Sequence, residues 1–128
     1  MKIGDAAKRS GLPVKTVRYY AEIDLVTPKR GPNGYRVYDA ADTRRLGFIR
    51  RARTFGFSVD ECRRLLTLYA DESRASADVK AITEAHLRAL DEKMAELKTL
   101  RDELARISSA CAGDAGARCP IIDHLAGP

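Results

Sequence analysis

The sequence contains no tryptophan, and aromatic residues make up only 6% of its 128 positions. So few aromatic residues disfavour a β-sandwich core, whereas charged residues at 32% are typical of long solvated helices. Hydrophobic residues at 45% permit one modest core. The composition therefore predicts a mostly α protein.

Long apolar segments are also missing. No stretch approaches the roughly 18 apolar residues that a membrane span needs. The first residues carry Lys2, Asp5 and Lys8 with no apolar run between them, so they do not form a targeting signal. We expect a cytoplasmic protein without a membrane partner. In that reducing compartment, the three cysteines are expected to be thiols or metal ligands rather than structural disulfides.

Catalytic signatures are absent as well. The sequence has no Gly-rich phosphate loop, no Cys-x-x-Cys redox motif and no Ser/His/Asp set. An enzyme is therefore the class that the sequence favours least.

The charge is unevenly distributed along the chain. Residues 1–70 contain 15 Lys and Arg against 7 Asp and Glu, whereas residues 71–128 contain 8 against 11. A basic first half predicts a polyanionic partner, for which nucleic acid is the usual candidate. A basic face that merely confers solubility is the simpler alternative.

The basic half begins with a predicted helix-turn-helix. One helix is expected over 3–9, with Gly11 ending it in a left-handed conformation and Pro13 starting a second helix over 14–22. The pair Asn33-Gly34 follows, between two short β-prone runs, and predicts a hairpin with basic edges, which is a wing. The expected DNA contacts are polar and cationic side chains of the second helix, the wing and the next helix: Lys15, Thr16, Arg18, Tyr19, Tyr20, Tyr35, Arg36 and Arg53.

Two further helices are expected before residue 70. Asp39 can cap the first, and Ser58 with Glu61 forms a capping box for the second. A polar hinge follows at 71–76. We therefore predict three parts, which are a DNA-binding domain at 1–70, a hinge and dimerisation helix at 71–107, and a metal-binding loop with a short helix at 108–128.

A long helix is predicted from Ser76, as its N-cap, to about Ile107. Its apolar residues recur at three- and four-residue steps from Leu87 to Leu104 and form a single stripe. Such a stripe must be covered, either by a second copy in a coiled coil or by the helix folding back on its own domain. The length of the stripe favours a homodimer.

Two cysteines, Cys111 and Cys119, flank a Gly-rich loop near the C-terminus. Two thiolates suit a soft cation that accepts two ligands, such as Cu(I), whereas structural zinc requires four. Two ordinary thiols in a mobile tail are the plainer alternative. Of the remaining candidates, Cys62 is expected to be a buried structural thiol, and His86 and His124 are weak candidates for ligands.

The surroundings of the cysteine pair bear on ion selectivity. Pro120 can open a short helix whose positive end lies beside Cys119, and Ile121, Ile122 and Leu125 can keep water out. Such a pocket penalises an ion that brings a second positive charge. Ser76 of a partner chain could approach this pocket, where its hydroxyl is only a weak ligand. A cysteine at that position would add a third thiolate. The simpler role of Ser76 is to cap the long helix.

Together these motifs resemble the MerR family of bacterial regulators. The resemblance rests on five segments of the first half: 2–7, 17–20, 25–28, 33–38 and 50–58. The cysteine pair with Pro120-Ile121-Ile122, and the run 76–80, are similar to the copper-efflux regulator branch of that family.

This resemblance implies a homodimer joined by an antiparallel coiled coil, bound to promoters whose recognition elements are spaced too far apart. It implies that the metal-bound dimer distorts the DNA so that RNA polymerase engages both elements, and that the metal-free dimer represses. It also implies Cys111 and Cys119 as ligands of Cu(I), with Ag(I) and Au(I) as mimics, and Ser76 as the mark of a monovalent sensor.

One departure from the family pattern is Asp24, which stands where the family usually has glycine before Leu25; Asp tolerates the left-handed backbone, so the turn is expected to survive. The chain also ends without the extra Cys/His tail that some copper sensors carry. Two alternatives stay open. One is a redox-sensing regulator that forms a Cys111–Cys119 disulfide, and the other is a copper carrier without a DNA function.

Overall fold

The computed structural model describes all 128 residues and is mostly helical, as the composition predicts. Six helices and one two-stranded sheet follow in this order: α1 Ile3–Ser10, α2 Val14–Glu22, β1 Lys29–Arg30, β2 Arg36–Val37, α3 Ala40–Thr54, α4 Val59–Ala70, α5 Ser76–Ser109 and α6 Pro120–Ala126. No helix combines the length and the apolar character that crossing a bilayer requires.

A tight turn joins α1 to α2. Gly11 has a φ of 75°, a left-handed conformation that glycine adopts without steric cost. Pro13 directly precedes α2 with extended backbone, where its missing N–H costs nothing. These two residues make the helix-turn-helix that the sequence predicts.

The hairpin has a three-residue loop. Its strands pair in antiparallel register, Lys29 with Val37 and Arg30 with Arg36. Gly34 N–H donates to the Gly31 carbonyl at 2.9 Å, and Gly34 has a φ of 81°. Because proline fixes φ near −65°, Pro32 sets the first central position of a type I turn, and Gly34 completes the loop as a left-handed bulge.

Capping boxes define the starts of α3 and α4. Asp39 accepts from the Asp42 backbone and Asp42 accepts in return, and Ser58 and Glu61 repeat the arrangement. Each box satisfies two N–H groups that a helix start would otherwise leave unpaired. The predicted caps at Asp39 and Ser58 are both present.

The core of the first compact unit, Met1–Ile82, is formed by side chains from α1 to α4 and the segments around the hairpin. Tyr38, Leu46, Ile49, Val17 and Cys62 are its largest fully buried side chains, along with Val26. Val79 and Ile82, from the first turns of α5, pack against this core. The two helices of the helix-turn-helix are thus held on the same apolar core as α3 and α4.

The second compact unit, Thr83–Pro128, consists of the remainder of α5, the tail loop and α6. Ile107 is its buried apolar residue, whereas the stripe from Leu87 to Leu104 is exposed. The helix begins at Ser76 itself, the residue that the sequence predicts as its cap, so it starts one position earlier than predicted, which lies within the usual uncertainty of helix ends. The division into parts at 70 and 107 stays a prediction.

Candidate functional site

A basic groove of about 830 Å³ lies between the N-terminal end of α1, α2 and the wing. Four cationic residues line it: Lys2, Arg18, Arg30 and Arg36. No acidic residue is among its lining residues, so every charged side chain that lines the groove is positive. The groove is therefore suited to a phosphate backbone.

The wing tip is held by its own polar contacts. Arg30 Nη1 donates to the Gly34 carbonyl at 2.6 Å, and the Tyr35 N–H donates to Asn33 Oδ1 at 3.2 Å. This leaves the ring of Tyr35 projecting from the tip with 73% of the residue exposed. An exposed ring on an ordered loop is available for contact with a partner.

Helix α2 turns its polar face outward. Lys15, Arg18 and Tyr19 are exposed, Thr16 is half-buried, and Val17 is fully buried on the opposite face. Polar side chains on one helix face can reach base edges in a major groove.

Tyr20 is placed differently from the other predicted contacts. It is 5% exposed and belongs to the core, and burial raises its pKa, an effect that Arg53 partly opposes. The Arg53 guanidinium lies near the Tyr20 hydroxyl and donates to the Phe57 carbonyl at 2.8 Å. Tyr20 thus supports Arg53 from inside the core, and of the two side chains only Arg53 is exposed.

Lys2 is a lining residue of the groove that sequence reasoning missed. The Tyr38 N–H donates to the Met1 carbonyl at 2.7 Å, and the N-terminal ammonium donates back to the Tyr38 carbonyl. This pairing draws the start of the chain to the end of the hairpin. The contact joins residues 37 positions apart, and no local sequence signal indicates it.

Cys111 and Cys119 lie together at the start of α6. Their sulfur atoms are 3.7 Å apart, and both cysteines are free and half-buried. A disulfide would need an S–S distance of about 2.05 Å. The loop between them therefore folds back as the spacing predicts, and it presents two reduced sulfurs side by side.

The surroundings of Cys119 favour its negatively charged thiolate form. The backbone N–H of Ile122 faces its sulfur and lowers the pKa of the thiol, with a smaller contribution from the N–H of Ile121 and from Cys111. The N–H contacts fall short of a full capping hydrogen bond. Since the thiolate is the form that binds metals, the start of α6 favours ligation by Cys119.

The apolar side chains near the pair are covered unequally within one chain. Pro120 and Ile121 are half-buried, whereas Ile122 is 63% exposed and Leu125 is 73% exposed. One chain alone does not enclose the pair. Ser76 belongs to the other compact unit, at the first residue of α5.

A third protein ligand is lacking in this chain. No group of three or more His, Cys, Asp or Glu residues is placed to hold a metal ion. His124 lies 3.3 Å from Glu103 Oε1, so Glu103 is its polar neighbour. Cys62 is fully buried in the first unit, where burial raises the pKa of its thiol.

Comparison with known proteins agrees with this architecture. Residues 1–68 match the family described as "MerR HTH family regulatory protein", and residues 43–107 match the one described as "MerR, DNA binding". The chain is 51% identical over 125 residues to the HTH-type transcriptional regulator HmrR of Rhizobium leguminosarum bv. viciae, covering 98% of this chain and 97% of that protein.

Two further similarities extend over the whole chain. It is 45% identical over 128 residues to the HTH-type transcriptional regulator CueR of Yersinia pestis, covering 99% of this chain and 92% of that protein. The crystal structure of the transcription regulator PbrR691 from Ralstonia metallidurans CH34, in complex with lead(II), superimposes with a TM-score of 0.84 at 34% identity and covers 98% of each chain. With its helix-turn-helix, wing and long helix, the chain belongs to the MerR family of helix-turn-helix transcriptional regulators.

Proposed function

We propose that this chain is a metal-responsive transcription activator that binds promoter DNA as a homodimer. Its inducer is one monovalent soft ion, Cu(I), held by Cys111 and Cys119, with Ag(I) and Au(I) as mimics. The metal-bound dimer distorts the promoter so that RNA polymerase can use it, and the metal-free dimer binds the same site and represses. The observation that carries the proposal is the reduced sulfur pair with no third ligand in the chain.

The distance between the two sulfurs fits a shared ion. On the scale of a zinc–thiolate bond, roughly 2.3 Å, two sulfurs sharing one ion lie at most about 4.6 Å apart. The observed separation of 3.7 Å is close to that limit. The loop needs to open by less than about 1 Å to admit an ion between the sulfurs.

The charge of the site favours a monovalent ion. Two thiolates and one singly charged ion leave a net charge of −1, which the N–H groups of Ile121 and Ile122 can stabilise at the start of α6. A divalent ion prefers additional ligands, and structural zinc takes four, which this chain does not supply. The related regulator PbrR691 was crystallised with lead(II), so the shared fold by itself does not determine which ion is bound.

A second copy of the chain completes the site in this proposal. Leu97 and Leu100 are 65% and 62% exposed on the stripe of α5, and pairing with another α5 would bury them. Dimerisation would also bring the partner's first α5 turn, with its Ser76, towards the tail loop. There Ile122 and Leu125 can close over the sulfurs and exclude water.

The DNA interface in this proposal is the groove together with the outer face of α2. Arg18, Arg36 and Lys2 bind phosphates, which fixes the position of the protein and makes affinity depend on salt. Lys15, Thr16 and Tyr19 of α2 contact base edges in the major groove. Tyr35, at the wing tip, and Arg53 contact the sugar-phosphate backbone of the DNA.

The direct test is metal titration of the reduced dimer, read out as transcription from its cognate promoter. We expect Cu(I), Ag(I) and Au(I) to induce and Zn(II) and Hg(II) not to induce. Induction by Zn(II) at concentrations as low as Cu(I) would contradict the proposed selectivity.

A redox sensor is the second candidate, because sulfurs 3.7 Å apart need to approach by less than 2 Å to form a disulfide. Copper-dependent activation under strictly reducing conditions excludes it. Activation by an oxidant in the presence of a metal chelator would favour it.

A further inference from the structure

The turn that ends α2 contains an unusual backbone conformation. Asp24 has a φ of 57° and is the only non-glycine residue with a positive φ. Asp visits this left-handed region more readily than most residues, yet only glycine does so without steric cost. Something must therefore hold the turn in place.

Arg63 of α4 holds it with both arms of its guanidinium group. Nη2 donates to the carbonyl of Ile23 at 2.8 Å, and Nη1 donates to the carbonyl of Asp24 at 3.0 Å. These contacts join residues 40 and 39 positions apart. A planar guanidinium can bridge two carbonyls in this way, whereas an ammonium provides a single point of charge.

This paired contact of Arg63 with the carbonyls of Ile23 and Asp24, which we call the fork, also supplies positive charge that the end of α2 lacks. A helix carries partial negative charge at its C-terminal end, and cations there are stabilising. The last turn of α2 contains no basic residue and includes Glu22. Arg63 is the cation at that end, contributed by another helix.

The element that carries Arg63 is firmly placed. The capping box of Ser58 and Glu61 fixes the start of α4, and the neighbouring Cys62, Leu65 and Leu66 are buried in the core. The exposed side chain of Arg63 therefore projects from a rigid helix. It ties the last turn of α2 to the helix that immediately precedes the hinge and α5.

We propose that Arg63 is a positioning residue of the DNA interface: its fork on Ile23 and Asp24 sets the angle at which α2 meets the double helix. Lys15, Arg18 and Tyr19 lie on α2 within about two and a half turns of the fork, so a change in the tilt of α2 displaces all three. This inference rests on the proposed DNA-binding function.

The test compares Arg63→Gln with Arg64→Gln in the full-length dimer. Both variants lose one positive charge at neighbouring exposed positions of α4, but only the first loses the fork. The probe is a duplex selected by the wild-type protein from a random-sequence pool, with an unselected duplex as reference. We expect Arg63→Gln to lower affinity for the selected duplex about fivefold relative to Arg64→Gln, since each tenfold is 1.4 kcal/mol and an exposed charged hydrogen bond contributes somewhat less.

Two features separate positioning from a direct phosphate contact. We expect the salt dependence of binding to be the same in both variants. Arg63→Lys should lose most of the affinity that Arg63→Gln loses, because it keeps the charge at the end of α2 but loses the fork. In an Asp24→Gly background, the penalty of Arg63→Gln should fall below about twofold, because glycine adopts the left-handed turn unaided. A lower salt slope in Arg63→Gln alone, with an undiminished penalty in Asp24→Gly, would show a phosphate contact and overturn the proposal.

Hydrogen exchange of the free protein distinguishes the fork from the proposed function. The backbone N–H groups of Leu25 and Val26 donate to the Tyr20 carbonyl at 2.8 and 3.2 Å across this turn. Their exchange should be faster in Arg63→Gln than in Arg64→Gln. If the wild type selects no DNA sequence, the proposed function fails and this comparison still decides whether the fork holds α2; equal exchange rates would overturn the inference.

Discussion

At the scale of single residues, the side chains that α2 turns outward are the proposed contacts with DNA. Arg18 is exposed on α2 and lines the basic groove with Arg30 and Arg36 of the wing. Because it lies among these cations, we propose that Arg18 contacts the phosphate backbone rather than a base edge. A phosphate contact predicts that the loss of Arg18 lowers the salt dependence of DNA affinity.

Arg18→Ala should weaken promoter binding about tenfold and lower the slope of log affinity against log salt by about one unit, because one phosphate contact is lost. Gel-shift titrations at several salt concentrations measure both quantities. Lys8→Ala is a matched control, since Lys8 is an exposed cation that does not line the groove. An unchanged slope in Arg18→Ala would remove Arg18 from the phosphate contacts.

Cys119 and Cys62 should also differ in reactivity. The pKa of Cys119 is lowered by the N–H of Ile122, whereas burial raises the pKa of Cys62. Alkylation proceeds through the thiolate, so as pH rises Cys119 should begin to react at a lower pH than Cys62. Mass spectrometry after timed treatment of the reduced, metal-free protein with iodoacetamide gives the order, and earlier modification of Cys62 would contradict the assignment.

Helical periodicity alone indicates that Tyr20 is buried, although Tyr20 is among the predicted DNA contacts. Val17, Tyr20 and Ala21 are separated by three and four positions and share the buried face of α2. By contrast, the place of Lys2 beside the wing and the fork of Arg63 depend on contacts between distant parts of the chain. Helical periodicity carries the first kind of information and cannot carry the second.

At the scale of secondary-structure elements, local chemistry gave the helix starts. Asp39, Ser58 and Pro120 each stand where their side chain or ring suits the first turn of a helix, and helices begin beside all three. The shape of the hairpin loop depends in addition on Pro32, which restricts the backbone to a three-residue loop. Pairing of α5 with a second copy depends on its exposed apolar stripe, so a substitution in that stripe tests it.

Leu97→Lys should dissociate the dimer, because it places a charge in the middle of the apolar stripe of α5, where Leu97 is 65% exposed in the single chain. Sedimentation equilibrium should show a weaker dimer, and promoter affinity should fall with it. Glu96→Lys is the control, since its exposed side chain lies outside the stripe. A Leu97→Lys dimer as tight as the wild type would mean that another surface joins the two chains.

At the scale of the whole molecule, the basic groove and the sulfur pair, to which we assign DNA binding and metal sensing, belong to separate parts of the chain. The basic groove lies within Met1–Ile82 and the sulfur pair within Thr83–Pro128. The family is one of DNA-binding regulators and not of enzymes. Removal of a sulfur should therefore affect the response to metal without affecting recognition of DNA.

Cys111→Ser and Cys119→Ser should each abolish metal-induced transcription and leave the promoter affinity of the metal-free protein within about twofold of wild type, since both cysteines lie outside the unit that carries the basic groove. Cys62→Ser is a less suitable control because Cys62 is fully buried, so Ser109→Ala, at the exposed end of α5, is preferable. Gel shift and in vitro transcription on the same samples separate the two functions. Loss of promoter affinity in either cysteine variant would show that the tail contributes to DNA binding.

The central claim is that the tail loop binds its ion through two sulfur atoms and nothing else. X-ray absorption at the copper edge, on the dimer loaded with one Cu(I) per chain, counts the neighbours of the ion and identifies their elements. We predict two sulfur neighbours, contributed by Cys111 and Cys119. Four neighbours, or any nitrogen or oxygen ligand, would contradict the account of how this protein selects a monovalent ion.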